Sequence, residues 1–383
     1  MRIAFDHQAF CLQTMGGISR YFCSLAVQLL WQGEQPAVFA PFYRNVYLRD
    51  VPAGAVHGRA VRAYPPRLAT LAVAANGWLA RPLIRRFSPD VVHETFFSKR
   101  TTAPADCPRV LTVFDMISEM LALDTPTPES ALRETAKYAA VARADHVICI
   151  SEYTRQELIR LFDVPARKVS VVHLGCDPAS GDPGEVASGA ATGDRPYLLY
   201  VGLRGGYKNF AVMLQGIAAS DRLKRVFDVV AFGGGAFSAQ ERAMISGLGF
   251  GEEQVRHVGG NDRAMTRFYR GASALVYPSR YEGFGLPPLE AMSYGCPVAA
   301  SGTASMPEVI GDAGEYFDPD RPDSIAQAIE RIVFSQERTD TLIELGKRRA
   351  ALFTWKRCAD ETLGVYRQLS PDPAGVQTVS RRT

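Results

Sequence analysis

The chain has 383 residues, 47% apolar and 22% charged, which are the proportions of ordinary globular domains and exclude wholesale disorder. At about 150 residues per domain, this length suggests two to three domains. Lys plus Arg number 43 against 40 Asp plus Glu, so the net charge of +3 gives no sign of a nucleic-acid binder. No stretch approaches the ~18 apolar residues of a membrane span. The amino-terminal run MRIAFDHQAF lacks the apolar core of a signal peptide, so a cytoplasmic location is expected. The 7 cysteines (Cys11, Cys23, Cys107, Cys149, Cys176, Cys296 and Cys358) are scattered and include no CxxC pair. They read as small buried side chains, not as a disulfide framework or a zinc site.

In chain order, RIAFD (2–6) reads as a strand, followed by Gly16 and Gly17 in a loop. A helix then begins, with Ile18, Tyr21, Phe22, Leu25, Ala26 and Leu29 on one face at a 3.6-residue period. AVFA (37–40), DVVH (90–93), RVLTVF (109–114), HVICI (146–150) and VSVVHL (169–174) read as further buried strands, with helices near 128–143 and 152–162. Gly, Ala, Ser, Asp and Pro dominate residues 179–195, which read as an interdomain linker. The alternation restarts with PYLLYVG (196–202), FDVVAFGGG (227–235), VRHVGG (255–260), ALVYP (274–278), CPVAA (296–300) and GEYFD (314–318). Helices are expected near 209–220, 237–247, 262–271 and 287–294, residues 321–369 look helical throughout, and 370–383 form a polar tail. The α/β class follows. Two doubly wound parallel-sheet domains are expected, 1–178 and 196–355, with a cleft between the carboxyl ends of their sheets.

The strongest local signal is the run from Tyr277 to Met292, YPSRYEGFGLPPLEAM, between a strand and a helix. Pro287 and Pro288 suit a first helical turn. Gly283 and Gly285 permit close backbone approach to a ligand, and the N–H groups of Phe284, Gly285 and Leu286 would face an anion at the helix start. Glu282 and Glu290 flank this turn with seven residues between them. A carboxylate so placed can accept two hydrogen bonds from a vicinal diol.

This run resembles the E-x7-E signature of the retaining glycosyltransferases of family 4, enzymes of the GT-B fold. His257-Val258-Gly259, Tyr294-Gly295-Cys296-Pro297 and the segment Met306–Gly314 also match that family. So do Tyr200-Val201-Gly202 through Asn209-Phe210, Ile150–Thr154 and Val172–Asp177. The likeness runs to about Trp355 and is densest in the carboxyl-terminal half. Asp6-His7-Gln8 with Gly16–Phe22 resembles the branch containing mannosyltransferases of bacterial surface polysaccharides.

The resemblance implies roles. Arg204 and Lys208, on the loop after a strand, would clamp the donor diphosphate as its charge grows in the transition state. Gly16 and Gly17 would lie over that phosphate from the opposing domain, and Gly233, in a Gly-Gly-Gly turn, would border the donor base and phosphate. Glu290 would hold the ribose hydroxyls, Glu282 would face the donor sugar, and Thr303 would line the pocket. Asp115 stands where many members carry a His-Asp pair, but this chain has Phe114 in the histidine position. Asp115 would hold the acceptor hydroxyl or cap a helix. His7, His93 and Glu94 end strands and could face the cleft. The helix 356–369 would pack back on the amino-terminal domain.

Asp318-Pro319-Asp320 reads as a turn, and with no HExxH and no His/Cys cluster, no metal is expected. Trp78–Phe87 mixes bulky apolar and basic residues, suiting either an anionic membrane surface or a packed surface segment. The implied function is retaining transfer of a hexose from a nucleoside-diphosphate sugar to a glycan. The donor would be GDP-mannose or a GDP-linked relative, with a UDP-hexose as runner-up. The acceptor would be a polyprenyl-diphosphate-linked oligosaccharide of an O-antigen, capsule or exopolysaccharide pathway, which places the enzyme at the inner face of the membrane. Rival readings are a sugar-nucleotide epimerase of the same fold and a silent binding protein.

Overall fold

The computed structural model describes residues 1–64, 69–124, 128–176 and 195–370. The chain divides into two compact units, one formed by Met1–Gly175 with the segment from Trp355, the other by Cys176–Thr354. The linker expected at 179–195 and the tail expected at 370–383 lie outside the described residues, apart from Arg195 and Ser370.

The amino-terminal unit holds β1 (Arg2–Phe5), β2 (Gln35–Tyr43), β3 (Val56–Ala60), β4 (Val91–Glu94), β5 (Arg109–Val113), β6 (His146–Cys149) and β7 (Val169–Val171). All pair in parallel in the order β3-β2-β1-β4-β5-β6-β7. The carboxyl-terminal unit holds β8 (Tyr197–Val201), β9 (Asp228–Phe232), β10 (Val255–Val258), β11 (Ala274–Tyr277), β12 (Val298–Ser301) and β13 (Gly314–Phe317). Their order, β10-β9-β8-β11-β12-β13, is again wholly parallel. In each sheet the chain works outward from the first strand on one side, then returns to build the other side. Each unit therefore has one topological switch point, between β1 and β4 and between β8 and β11.

Burial explains which strands the sequence displays. LLYV and VVAF are continuous apolar runs because helices cover both sheet faces. The expected strands all occur, but β3 adds one that no apolar run announces: its residues VHGRA are almost all exposed at the sheet edge. The region 321–369 is helical, in three pieces, Pro322–Val333, Gln336–Ala350 and Trp355–Leu369. Ser335 starts the second by accepting the Arg338 N–H. Short helices at Gln8–Leu12 and Asp221–Val226 also lie outside the expected set.

The helix Gly17–Trp31 buries Tyr21, Phe22, Leu25, Ala26 and Leu29 on the expected face. The helix Trp355–Leu369 packs against it, with Tyr366 fully buried. All seven cysteines are free and buried. The helix Ala69–Phe87 carries Pro82 inside it, so the Trp78 carbonyl loses its intrahelical donor. Trp78 is 72% exposed, whereas Ala80 and Ile84 are buried. Among the described residues no helix is long and apolar enough to cross a membrane.

Candidate functional site

Of the residues expected to bind the donor, all but Gly16 and Gly17 lie in the carboxyl-terminal unit, on the segments that follow β8, β9, β11 and β12. Lys208 follows β8 in a short 3-10 turn, Gly206–Lys208. Its Nζ lies 2.6 Å from Glu282 Oε1, which also accepts a 2.8 Å hydrogen bond from the Tyr277 hydroxyl. The ammonium stands 5.8 Å from the Tyr277 ring centre and 5.2 Å from that of Tyr207. Both partners are largely buried, with side-chain exposures of 15% and 10%. Burial and the Glu282 charge push the Tyr277 hydroxyl far above its ordinary range, so it remains a donor.

The Glu282 loop is fixed from below. Ser305 Oγ donates to the carbonyls of Glu282 and Phe284 at 2.8 and 3.0 Å. Thr303 Oγ1 donates to the Arg280 carbonyl at 2.9 Å, so Thr303 supports this loop. Gly285 caps the helix Leu286–Ser293 with φ 101°. The backbone there requires glycine, and a Cβ would meet Met306 Cε at 2.4 Å, so the end of that side chain would have to shift. Phe284 is buried edge-on against Phe353, 5.7 Å between ring centres. The prolines at 287 and 288 carry no N–H, which leaves Leu286 as the only N–H donor among the first three helical residues. Glu290 accepts the Tyr269 hydroxyl at 3.1 Å.

Arg204 is held in place by the loop after β9 and by the helix Ala239–Gly247. Gly233, Gly234 and Gly235 all have positive φ (90°, 75° and 74°), and their turn wraps the guanidinium. Nη1 donates to the Gly233 carbonyl at 2.8 Å, and Nη2 to those of Gly235 and Ala236 at 2.9 and 3.2 Å. Nε pairs with Glu241 at 2.6 Å, and the guanidinium lies 4.7 Å from the Phe237 ring centre. Only 5% of the side chain is exposed. Glu241 also closes a capping box with Ser238. The Arg204 guanidinium holds its carboxyl down at about 2. Sequence reading missed Glu241, although the Ser-x-x-Glu spacing of a capping box was present.

Asp115, Gly16 and Gly17 belong to the amino-terminal unit. Asp115 Oδ1 accepts the Ile117 N–H at 3.2 Å, so its side chain starts the helix Ile117–Asp124. Gly16 is the N-cap of Gly17–Trp31 with an extended φ of 173°; a Cβ there would press on the Gln13 side chain, and none would be obstructed at Gly17. Phe114, in place of the family histidine, packs edge-on against Tyr21 at 5.3 Å. His93 and Glu94 are interior groups, not open strand ends. His93 meets the Tyr366 hydroxyl at 2.6 Å and Thr112 Oγ1 at 2.8 Å, and burial lowers its pKa to about 3. Glu94 is paired with Arg143 at 2.7 Å. Asp318 accepts the Asp320 N–H at 3.0 Å, the turn geometry expected there. Among the described residues no group of three or more His, Cys, Asp or Glu could hold a metal.

Residues 15–180 match the model of Glycosyltransferase Family 4, and residues 185–349 match that of Glycosyl transferases group 1. O-antigen chain mannosyltransferase B of Escherichia coli is 31% identical over 243 residues, which span 62% of this chain and 64% of that protein. A D-inositol 3-phosphate glycosyltransferase of Kineococcus radiotolerans is 28% identical over 94% of this chain and 92% of its own length. Sucrose-phosphate synthase of Thermosynechococcus elongatus superposes with a TM-score of 0.76 at 20% identity, covering 96% of this chain and 99% of that one. The Anabaena protein HepE in complex with UDP-glucose gives 0.72 at 17% identity, covering 95% and 100%. The two Rossmann-ordered sheets and these superpositions identify the GT-B fold. With the two family models matching nearly all of the chain between them, it belongs to the group 1 and family 4 glycosyltransferases.

Proposed function

We propose that this protein is a retaining glycosyltransferase that moves a hexose from a nucleoside-diphosphate sugar to a glycan acceptor in the assembly of a bacterial surface polysaccharide. The observation that carries this reading is the buried Lys208–Glu282–Tyr277 set at the switch point of the carboxyl-terminal unit. In this reading Lys208 meets the donor phosphates, and its charge stabilises the diphosphate more as the glycosidic bond breaks. Arg204 acts on the same phosphates through the glycine loop it holds. Glu282 exchanges its lysine partner for hydroxyls of the donor sugar, and Glu290 takes the ribose. The departing phosphate oxygen accepts the proton of the attacking hydroxyl on the same face, which keeps the anomeric configuration. No protein nucleophile is then needed.

The mannosyltransferase relative favours mannose on a GDP carrier. UDP-hexose is the second reading, favoured by the UDP-glucose seen in HepE. A lipid-linked acceptor is supported by exposed Trp78, Leu71 and Leu83 beside the exposed Arg81, Arg85 and Arg86 on one helix, which suit an anionic bilayer.

A thermal-shift panel of GDP-, UDP-, dTDP- and ADP-sugars tests the donor, since a ligand raises the melting temperature by mass action. Lys208→Ala and Glu282→Ala should each abolish acceptor-dependent release of the nucleotide while keeping a cooperative melting transition, at a lower temperature because the remaining charge is left without its partner. Full transfer by either variant would sink the assignment. Nucleotide-sugar turnover with no acceptor requirement would point to an epimerase instead.

A further inference from the structure

From the last residue of β12, hydroxyls recur at alternate positions, Ser301, Thr303 and Ser305, and all three donate to one neighbouring segment. Ser301 Oγ donates to the Ser279 carbonyl and Thr303 Oγ1 to that of Arg280. Ser305 Oγ donates to those of Glu282 and Phe284, at 2.8 and 3.0 Å. Four of the six carbonyls from Ser279 to Phe284 are thus held by one ladder of hydroxyls. In addition, the Arg280 N–H donates to the Tyr207 carbonyl at 2.9 Å, which ties this segment to the turn carrying Lys208. Neutral hydrogen bonds therefore locate the Glu282 backbone, apart from the ion pair at the tip of its side chain.

Within the ladder Ser305 is used in an unusual way. It is the N-cap of the helix Met306–Ile310, a position where a serine side chain ordinarily accepts a backbone N–H of the first turn. Here its side chain makes no such bond. Pro307 has removed one of the N–H groups it could have capped. A hydroxyl carries a single proton, so Ser305 shares it between the two carbonyls that converge on it. Buried carbonyls that converge with no donor between them are costly, so this proton closes the turn around Gly283. Ser305 is itself fully buried.

The consequence falls on Glu282. Without ligand its carboxylate is steadied by Lys208 and Tyr277. Once a sugar takes the place of Lys208, the Tyr277 hydroxyl and the backbone anchor are what hold it. We propose that Ser305 is a positioning residue for glycosyl transfer, fixing Glu282 where it meets the donor sugar while touching no ligand itself. This rests on the reading of Glu282 as the residue that faces the sugar.

The test is calorimetry on the full chain with two matched pairs, GDP against GDP-mannose and UDP against UDP-glucose. Both members of a pair present a diphosphate to Lys208, so a change between variants in the ratio of their dissociation constants reports the contact to the sugar. Glu282→Ala is expected to shift that ratio about tenfold against the sugar nucleotide, the worth of one charge-assisted contact. Ser305→Ala should shift it the same way by about threefold or more, with a cooperative melting transition retained, because the carboxylate is present but displaced. Ser305→Cys, with nearly the same shape and a weaker donor, should fall between Ser305→Ala and the wild type. In the Glu282→Ala background Ser305→Ala should add nothing further, a non-additivity that a serine serving stability alone would not produce. A wild-type ratio in both Ser305 variants, or an additive shift in the double variant, would overturn the proposal and leave the glycosyltransferase reading standing. Absence of saturable binding of all four nucleotides by the wild-type chain would remove that reading, and this proposal with it.

Discussion

Glu241→Gln isolates the electrostatic part of the Arg204 anchor. Glutamine preserves the shape and the capping-box position but removes the charge opposite a guanidinium that is 5% exposed. The fall of the Glu241 pKa from 4.5 to about 2 sets a ceiling of about 3.4 kcal/mol, at about 1.36 kcal/mol per pH unit. Because the Glu241 side chain is 25% exposed, solvent screening reduces the expected loss to about 1–2 kcal/mol. In the carboxyl-terminal unit this lowers the melting transition by about 3–6 °C. The sign with pH follows from a depressed carboxyl. The contribution is complete above the unfolded value near 4.5 and disappears as pH falls toward about 2. The wild-type and variant stabilities should therefore run parallel from pH 8 to 5 and converge only in acid. Denaturant unfolding of the double-mutant cycle with Arg204→Met assigns the effect to the pair, with a coupling of about 1–2 kcal/mol expected. If Glu241→Gln costs as much in the Arg204→Met background as in the wild type, the pair does not hold the loop.

Gly285→Ala combines a φ of 101° with a 2.4 Å approach to Met306, so denaturant titration should show a loss of about 2–4 kcal/mol; a loss under about 1 kcal/mol would mean the loop relaxes freely. Tyr277→Phe removes one of the two contacts to Glu282 Oε1 and should lower kcat/KM about tenfold or more with the fold retained, as steady-state kinetics would report. Stability should also fall in mild acid. His93 is held neutral to about pH 3, whereas the unfolded ring protonates near 6.5, so its contribution is complete above that value and is lost between them. His93→Gln should reduce the slope of stability against pH across 6 to 4 by up to about 1.4 kcal/mol per pH unit, and an unchanged slope would contradict the neutral assignment.

The strand cores and the Glu282 turn were legible because each is written in one local stretch. A parallel strand covered on both faces must be an apolar run, and Gly285 before Pro287 announces a helix entry whatever lies elsewhere. The edge strand β3 was not legible, since VHGRA is exposed and carries no apolar pattern. Its close approach at Gly58, where a Cβ would lie 1.8 Å from the Ala40 carbonyl, becomes meaningful only once β2 is beside it. The same limit applied to the site. Lys208 and Glu282 could be singled out separately, but their pairing spans 74 positions, and the Arg204–Glu241 pairing spans 37. His93 stayed undecided in the sequence because a histidine at a strand end looks the same whether it meets solvent or, as here, Tyr366 from a helix 273 positions away.

The two units apply one topology to different electrostatic problems. At the β8–β11 switch point the charged groups are already paired: Lys208 with Glu282, Glu282 with Tyr277, and Arg204 with its glycine turn. A ligand there must displace existing bonds, so its net gain is the difference between two good sets of contacts. At the β1–β4 switch point His7 Nδ1 and Thr102 Oγ1 have no partner among the described residues. Removing a hydroxyl should therefore have opposite consequences at the two places. Tyr277→Phe takes a donor from a charge and should destabilise the ligand-free protein by about 1.5–3 kcal/mol, whereas Thr102→Val takes away a group that burial already penalises and should not. Loss of stability in both variants would mean that Thr102 is an ordinary bonded core residue, and the contrast between the two switch points would fail with it.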